Sequence, residues 1–168
     1  MKKILFAIIV ALCSITASAQ IETGYRGFAD IGYGISTSEI SDGIYSADVS
    51  NYLTISTTHG YQVIENYLFV GAGVGLEYWH EGSAVSIPIF ADVRSDFYTA
   101  NRFSIFGDLK IGYRANDAQG LTINPQVGVR FALNDNIGLN LGVGSDIYKI
   151  QDLDGTGSAF TIKLGVDF

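Results

Sequence analysis

The stretch YLFVGAGVGLEYW, residues 67–79, is almost wholly apolar, yet it carries glycine at 71, 73 and 75 and a glutamate at 77. A membrane-spanning helix needs about 20 apolar residues, more than this run supplies. Split by parity, it separates into two faces: Leu68, Val70, Ala72, Val74, Leu76 and Tyr78 on one, Phe69, Gly71, Gly73, Gly75, Glu77 and Trp79 on the other. That is the periodicity of a strand. One face is uniformly apolar. The other mixes rings, glycines and a charge, the composition of a crowded and partly polar interior. GAGVG at 71–75 lies inside this strand with no helix after it, so it is not a nucleotide-binding loop.

The same pattern recurs along the chain, and predicts eight strands at 25–36, 52–63, 67–79, 84–97, 103–114, 121–133, 137–147 and 158–168. Short turns at 64–66, 98–102 and 134–136 alternate with longer polar loops at 37–51, 80–83, 115–120 and 148–157, all rich in Asn, Asp and Gly. An even number of strands, with short turns at one end and longer loops at the other, is the plan of an all-β, antiparallel up-and-down transmembrane barrel.

Parity sorts the remaining strands as cleanly. One set of faces reads Ala29, Ile31, Tyr33 and Ile35; Leu53, Ile55, Thr57, Tyr61 and Val63; Val85, Ile87, Ile89, Ala91 and Val93; Ile105, Leu109, Ile111 and Tyr113; Ile123, Val127, Val129, Phe131 and Leu133; Leu139, Leu141 and Val143; and Phe160, Ile162, Leu164, Val166 and Phe168. None is charged. The opposite faces hold Arg26, Asp30, Glu77, Asp92, Arg94, Asp96, Asp108, Lys110, Arg114, Arg130, Asp146, Lys163 and Asp167, six basic and seven acidic. A basic side chain facing lipid at mid-bilayer costs about 2–4 kcal/mol, which is the physical reason for such segregation. The charges are expected to fill the lumen as pairs, Arg94, Lys110, Arg114 and Arg130 meeting Asp92, Asp96, Asp108 and Glu77.

At the amino terminus, Lys2 and Lys3 precede an apolar run from Ile4 to Leu12, and Ala17 and Ala19 form an A-x-A site. Residues 1–19 therefore read as a cleaved signal peptide and 20–168 as the barrel domain. The only cysteine, Cys13, lies in the leader, so no disulfide or thiolate metal site is expected in the mature chain. The full sequence carries a net charge of −7, and −9 once Lys2 and Lys3 are gone, which argues against a nucleic-acid partner.

Outward aromatic residues cluster at the strand ends: Tyr25, Tyr61, Phe97, Phe103, Phe131 and Phe168 at the turn end, Tyr33, Tyr78, Tyr113 and Phe160 at the loop end. Two such girdles are expected at membrane interfaces. With the leader, the eight alternating strands, YLFVGAGVGLEYW and the closing FTIKLGVDF, the chain resembles the small eight-stranded outer-membrane β-barrel family of OmpA-like transmembrane domains and OmpX-like proteins. The resemblance implies a Gram-negative outer membrane with both termini periplasmic, contact with its lipid and lipopolysaccharide, and insertion by the barrel assembly machinery, with Phe168 as the terminal aromatic assembly signal.

An eight-stranded barrel is just wide enough for side chains to fill, so large residues need small ones beside them. Gly32, Gly34, Gly71, Gly73, Gly75, Gly142 and Gly144 are expected to make room for rings such as Phe69, Phe90 and Phe106. Pro88 and Pro125 fall inside strands, where each removes a ladder donor, so bulges are expected there. His80, Glu81 and Ser83 contain the residue types of a hydrolytic triad, but adjacency in a loop is not triad geometry. DLDG at 152–155 lacks most ligands of a calcium loop, and His59 reads as an interfacial side chain. Neither a cofactor nor a metal nor a catalytic residue is expected. Loop 37–51, with Glu39, Asp42 and Asp48 beside Ile40, Ile44 and Tyr45, is the longest surface offered to a partner. The reading is a non-enzymatic envelope or surface-interaction protein. The alternatives are a lipid A-modifying enzyme acting through His80 or Ser83, and a narrow pore.

Overall fold

The computed structural model describes residues 21–168 apart from 38, 43, 44, 49, 50, 81, 82, 101, 118, 135 and 150–155, so the leader lies outside the described residues. Its strands are β1 (Gly24–Ser36), β2 (Glu39–Asp42), β3 (Tyr45–Asp48), β4 (Tyr52–Ile64), β5 (Leu68–Trp79), β6 (Val85–Ala100), β7 (Phe103–Asn116), β8 (Gly120–Ala132), β9 (Gly138–Lys149) and β10 (Thr156–Asp167). Eight of them close into one antiparallel barrel in the order β1-β10-β9-β8-β7-β6-β5-β4, while β2 and β3 pair only with each other. The alternating faces drive closure, because an open sheet edge in an apolar medium leaves backbone donors and acceptors without partners. At the seam, β1 and β10 run in register from Phe28 opposite Asp167 to Ser36 opposite Ala159. Gly27 and Phe168 then exchange both backbone hydrogen bonds, at 2.7 and 3.0 Å.

The hairpin β2–β3 falls inside the stretch expected to be an irregular loop, and strand β9 runs on to Lys149, two residues beyond the expected end. Register shifts occur between Gln62 and Ile64 on β4 and between Asp96 and Tyr98 on β6, both at the turn end. The bulges expected at the prolines are not there. Pairing of β5 with β6 keeps one register on either side of Pro88, and β8 with β9 on either side of Pro125; in each case only the rungs at the proline are missing. At Pro125 the loss is repaired locally. The carbonyl of Ser145, directly across in register, accepts a hydrogen bond of 2.9 Å from the Asn124 side-chain amide. A neighbouring side chain supplies the missing donor, so the strand has no need to bulge.

The outward and inward faces are those given by parity. All ten aromatic residues of the two girdles are exposed on the outer wall. Inside, several glycines make way for specific rings, while Gly32 faces the Lys163 side chain, Gly75 the Ile55 carbonyl and Pro88, and Gly144 the Pro125 carbonyl and Gln126. A β-carbon on Gly71 would fall 2.6 Å from the Phe69 ring, and one on Gly73 would fall 2.5 Å from that of Phe90. Gly34 and Gly128 likewise lie against the rings of Tyr52 and Phe106. Gly142 is different: its nearest neighbour, Gln126 Oε1, would be at an ordinary 3.4 Å. Gly73→Ala is therefore expected to cost about 1–3 kcal/mol by overpacking, and Gly142→Ala less than about 0.5 kcal/mol. Urea unfolding of the two variants in lipid bilayers checks this; equal costs would show that the ring contacts do not set the glycine pattern.

Candidate functional site

The lumen holds all thirteen charges that parity assigns to it, in three tiers. Nearest the turns are Arg26, Arg94 and Arg130 with Asp96 and Asp167. Arg130 grips Asp167 at 2.9 Å, and Arg26 lies 3.4 Å from both Asp167 and Asp96. Asn140 donates to Asp167 at 2.7 Å and accepts from Arg94 at 2.6 Å. The Arg94 guanidinium lies 3.4 Å above the Phe106 ring and 4.8 Å from that of Phe28. Arg94 is thus held by an amide and by ring faces, whose negative quadrupoles attract a cation.

The middle tier centres on Lys110, whose Nζ lies 3.2 Å from Asp30 and 3.8 Å from each of Asp92 and Asp108. Lys163 turns to Asn124 Oδ1 at 2.8 Å. At the loop end, Arg114 is 1% exposed. It bonds Glu77 at 2.7 Å and also contacts Asp146. Asp146 accepts from the Tyr52 hydroxyl and, at 2.7 Å, from Thr122. The rings of Tyr148, Trp79 and Tyr52 stand 4.5, 5.4 and 5.7 Å from the Arg114 guanidinium, a lid of three aromatics over a buried cation.

The pairing differs in detail from the expected one. Lys110 with Asp92 and Asp108, and Arg114 with Glu77, are brought together. Arg130 instead takes Asp167, Asp96 goes to Arg26, and Arg94 and Lys163 hydrogen-bond to amides. The reason is size: an Asn, Gln or ring fits between ions that the lumen cannot bring into direct contact. Asn124, Gln126, Asn140, Gln62 and Tyr148 share the parity of the charges, and that shared parity is the signal that would have identified them. With these side chains in place, two cavities among the described lumen residues measure about 10 and about 30 Å³, against the about 10–15 Å³ that one water needs.

The other candidates are described only in part. The His80 imidazole packs beside the rings of Tyr33 and Tyr78, centroids 5.9 and 5.8 Å away, and Ser83 turns the chain at φ 52°. Glu81 and the DLDG segment lie outside the described residues, as do the side chains of Glu39, Asp42 and Asp48. Phe168 lays its ring over Gly27 on the outer wall and continues the β10 ladder.

This architecture is that of the eight-stranded outer-membrane β-barrel fold. The crystal structure of Neisserial surface protein A (NspA) superposes with a TM-score of 0.69 at 14% identity, over 88% of this chain and 98% of that one. A barrel from the de novo design of transmembrane β-barrels gives 0.52 at 13% identity, over 89% and 98%. The N-terminal β-barrel domain of Pseudomonas aeruginosa OprF gives 0.50 at 12%, over 88% and 100%. No protein-family model matches the chain, and no curated protein matches it in sequence.

Proposed function

We propose that the chain is an integral protein of a Gram-negative outer membrane that acts through what it displays, with the turn end in the periplasm and the loops outside. The likeness to NspA and OprF supports the membrane. The observation that carries the rest is the crowded lumen, where charges, rings and amides leave two cavities of about 10 and 30 Å³ among the described residues. With little room in the lumen and His80 packed beside tyrosine rings, the loops are the part left to act on the surroundings, and β2 pairs with β3 within the longest of them. The role is structural or adhesive, and non-enzymatic.

Trimming loops 37–51 and 150–155 tests this in intact cells. The second cut stops short of Tyr148, which belongs to the aromatic lid. The trimmed barrel is expected to reach the membrane in normal amount and to lose the surface-binding or envelope phenotype. An unchanged phenotype would remove the loops from the function, and reproducible single-channel steps from the pure wild-type protein would put a pore in their place.

A further inference from the structure

Three of the few polar side chains on the outward face meet near the turn end. Thr57 Oγ1 lies 3.0 Å from the Phe28 carbonyl and 3.0 Å from His59 Nε2, and the Tyr25 hydroxyl lies 2.6 Å from His59 Nδ1. The proton positions follow from these contacts. A carbonyl only accepts and a hydroxyl has one proton, so the Thr57 proton goes to Phe28. His59 Nε2 must then carry a hydrogen and donate to Thr57, and in the neutral imidazole Nδ1 accepts from Tyr25. Every donor points into the wall. The chain ends outside on the Tyr25 oxygen, whose own proton is committed and whose electron density is raised by the bonds behind it. That end calls for a donor.

Beside the cluster the wall recedes. Ala29, which faces Thr57 on β4 and Val166 on β10, floors a shallow groove of about 360 Å³ whose sides are Ile31, Ile55, Leu139, Leu164 and Val166. Ala29 is four residues from Tyr25, about 13 Å along the strand. An acceptor at the rim and an apolar groove about 13 Å deeper match the outline of a lipid with an N–H-bearing head.

We propose that this part of the outer wall is a binding site for one ethanolamine-headed phospholipid, its ammonium on the Tyr25 oxygen and one acyl chain over Ala29. A choline head has no N–H to give and is discriminated against. Only the outward face being in contact with lipid is assumed; the role of the loops does not enter.

Native mass spectrometry of the barrel released from bilayers of equal parts phosphatidylethanolamine and phosphatidylcholine, with identical acyl chains, tests the site. The wild type is expected to retain one phosphatidylethanolamine about tenfold over phosphatidylcholine, the discrimination of one charge-assisted hydrogen bond. Tyr25→Phe should bring the ratio to about one while lipid is still retained. Ala29→Leu should fill the groove and release both lipids. Each variant is checked for the heat-dependent gel shift of a closed barrel. Equal retention by the inserted wild type, or a preference that survives Tyr25→Phe, overturns the site alone; a dimer without bound lipid gives the wall to a second copy and overturns it too. Failure of the wild type to insert would overturn the lipid-facing wall itself.

Discussion

Arg114→Met is expected to destabilise the folded barrel by about 3–5 kcal/mol, because it leaves Glu77 and Asp146 buried without their cation. Arg114 is 1% exposed, bonds Glu77 at 2.7 Å and contacts Asp146 as well, with aromatic rings closing the loop side. A methionine fills the space but supplies no positive charge. The triple variant Arg114→Met, Glu77→Gln, Asp146→Asn should recover much of the loss, since it removes the ions together and leaves an amide whose oxygen accepts from one of Tyr52 and Thr122 while its NH2 donates to the other hydroxyl. Equilibrium unfolding of both in lipid bilayers is the measurement. A single variant as stable as the triple would mean that solvent reaches this tier and that the lumen is not sealed at the loop end.

The second large effect belongs to the outer wall. Leu141 and Val129 face each other across β8 and β9 on the outward side. Leu141→Arg is expected to cost about 2–4 kcal/mol in a bilayer, falling to about 0–1 kcal/mol for Phe131→Arg at the turn-end rim, where the guanidinium reaches the interface. The gradient matters more than either value. Equal and negligible costs at both depths would show that this face does not contact hydrocarbon.

The wall was legible in the sequence because strand parity is a strict period, and one charge on the wrong face would have broken it. The lumen was legible in composition but not in partnership. Lys110 with Asp92 and Asp108 follows from adjacent registers, whereas Arg94 with Asn140, 46 residues apart, depends on which side chains reach across a lumen already occupied by Phe28 and Phe106. Tyr148 reads as loop because KIQDLDG follows it, although it continues the inward series of Gly144 and Asp146. The hairpin β2–β3 is less legible: only Gly43-Ile44 separates Asp42 from Tyr45, with glycine first as a two-residue hairpin loop allows. The prolines misled in the other direction. A missing donor predicts a bulge only when nothing nearby replaces it, and the Asn124 amide does so at Pro125.

The seam between β1 and β10 also dictates an order of events during biogenesis. Phe28 sits opposite Asp167, and Arg26 is ion-paired to the same Asp167, a contact between residues 141 positions apart. Strands β4 to β9 pair with sequence neighbours and are free to zip as hairpins while synthesis or export is still under way, but the first strand has no second partner until the last has arrived. Bringing such distant segments together is the slow, entropically opposed step in forming any sheet. Until then the chain is a twisted ribbon with two raw edges, able to pair with a sister molecule as readily as with itself. The interval between emergence of β9 and capture of β10 is therefore when this protein is most exposed to aggregation.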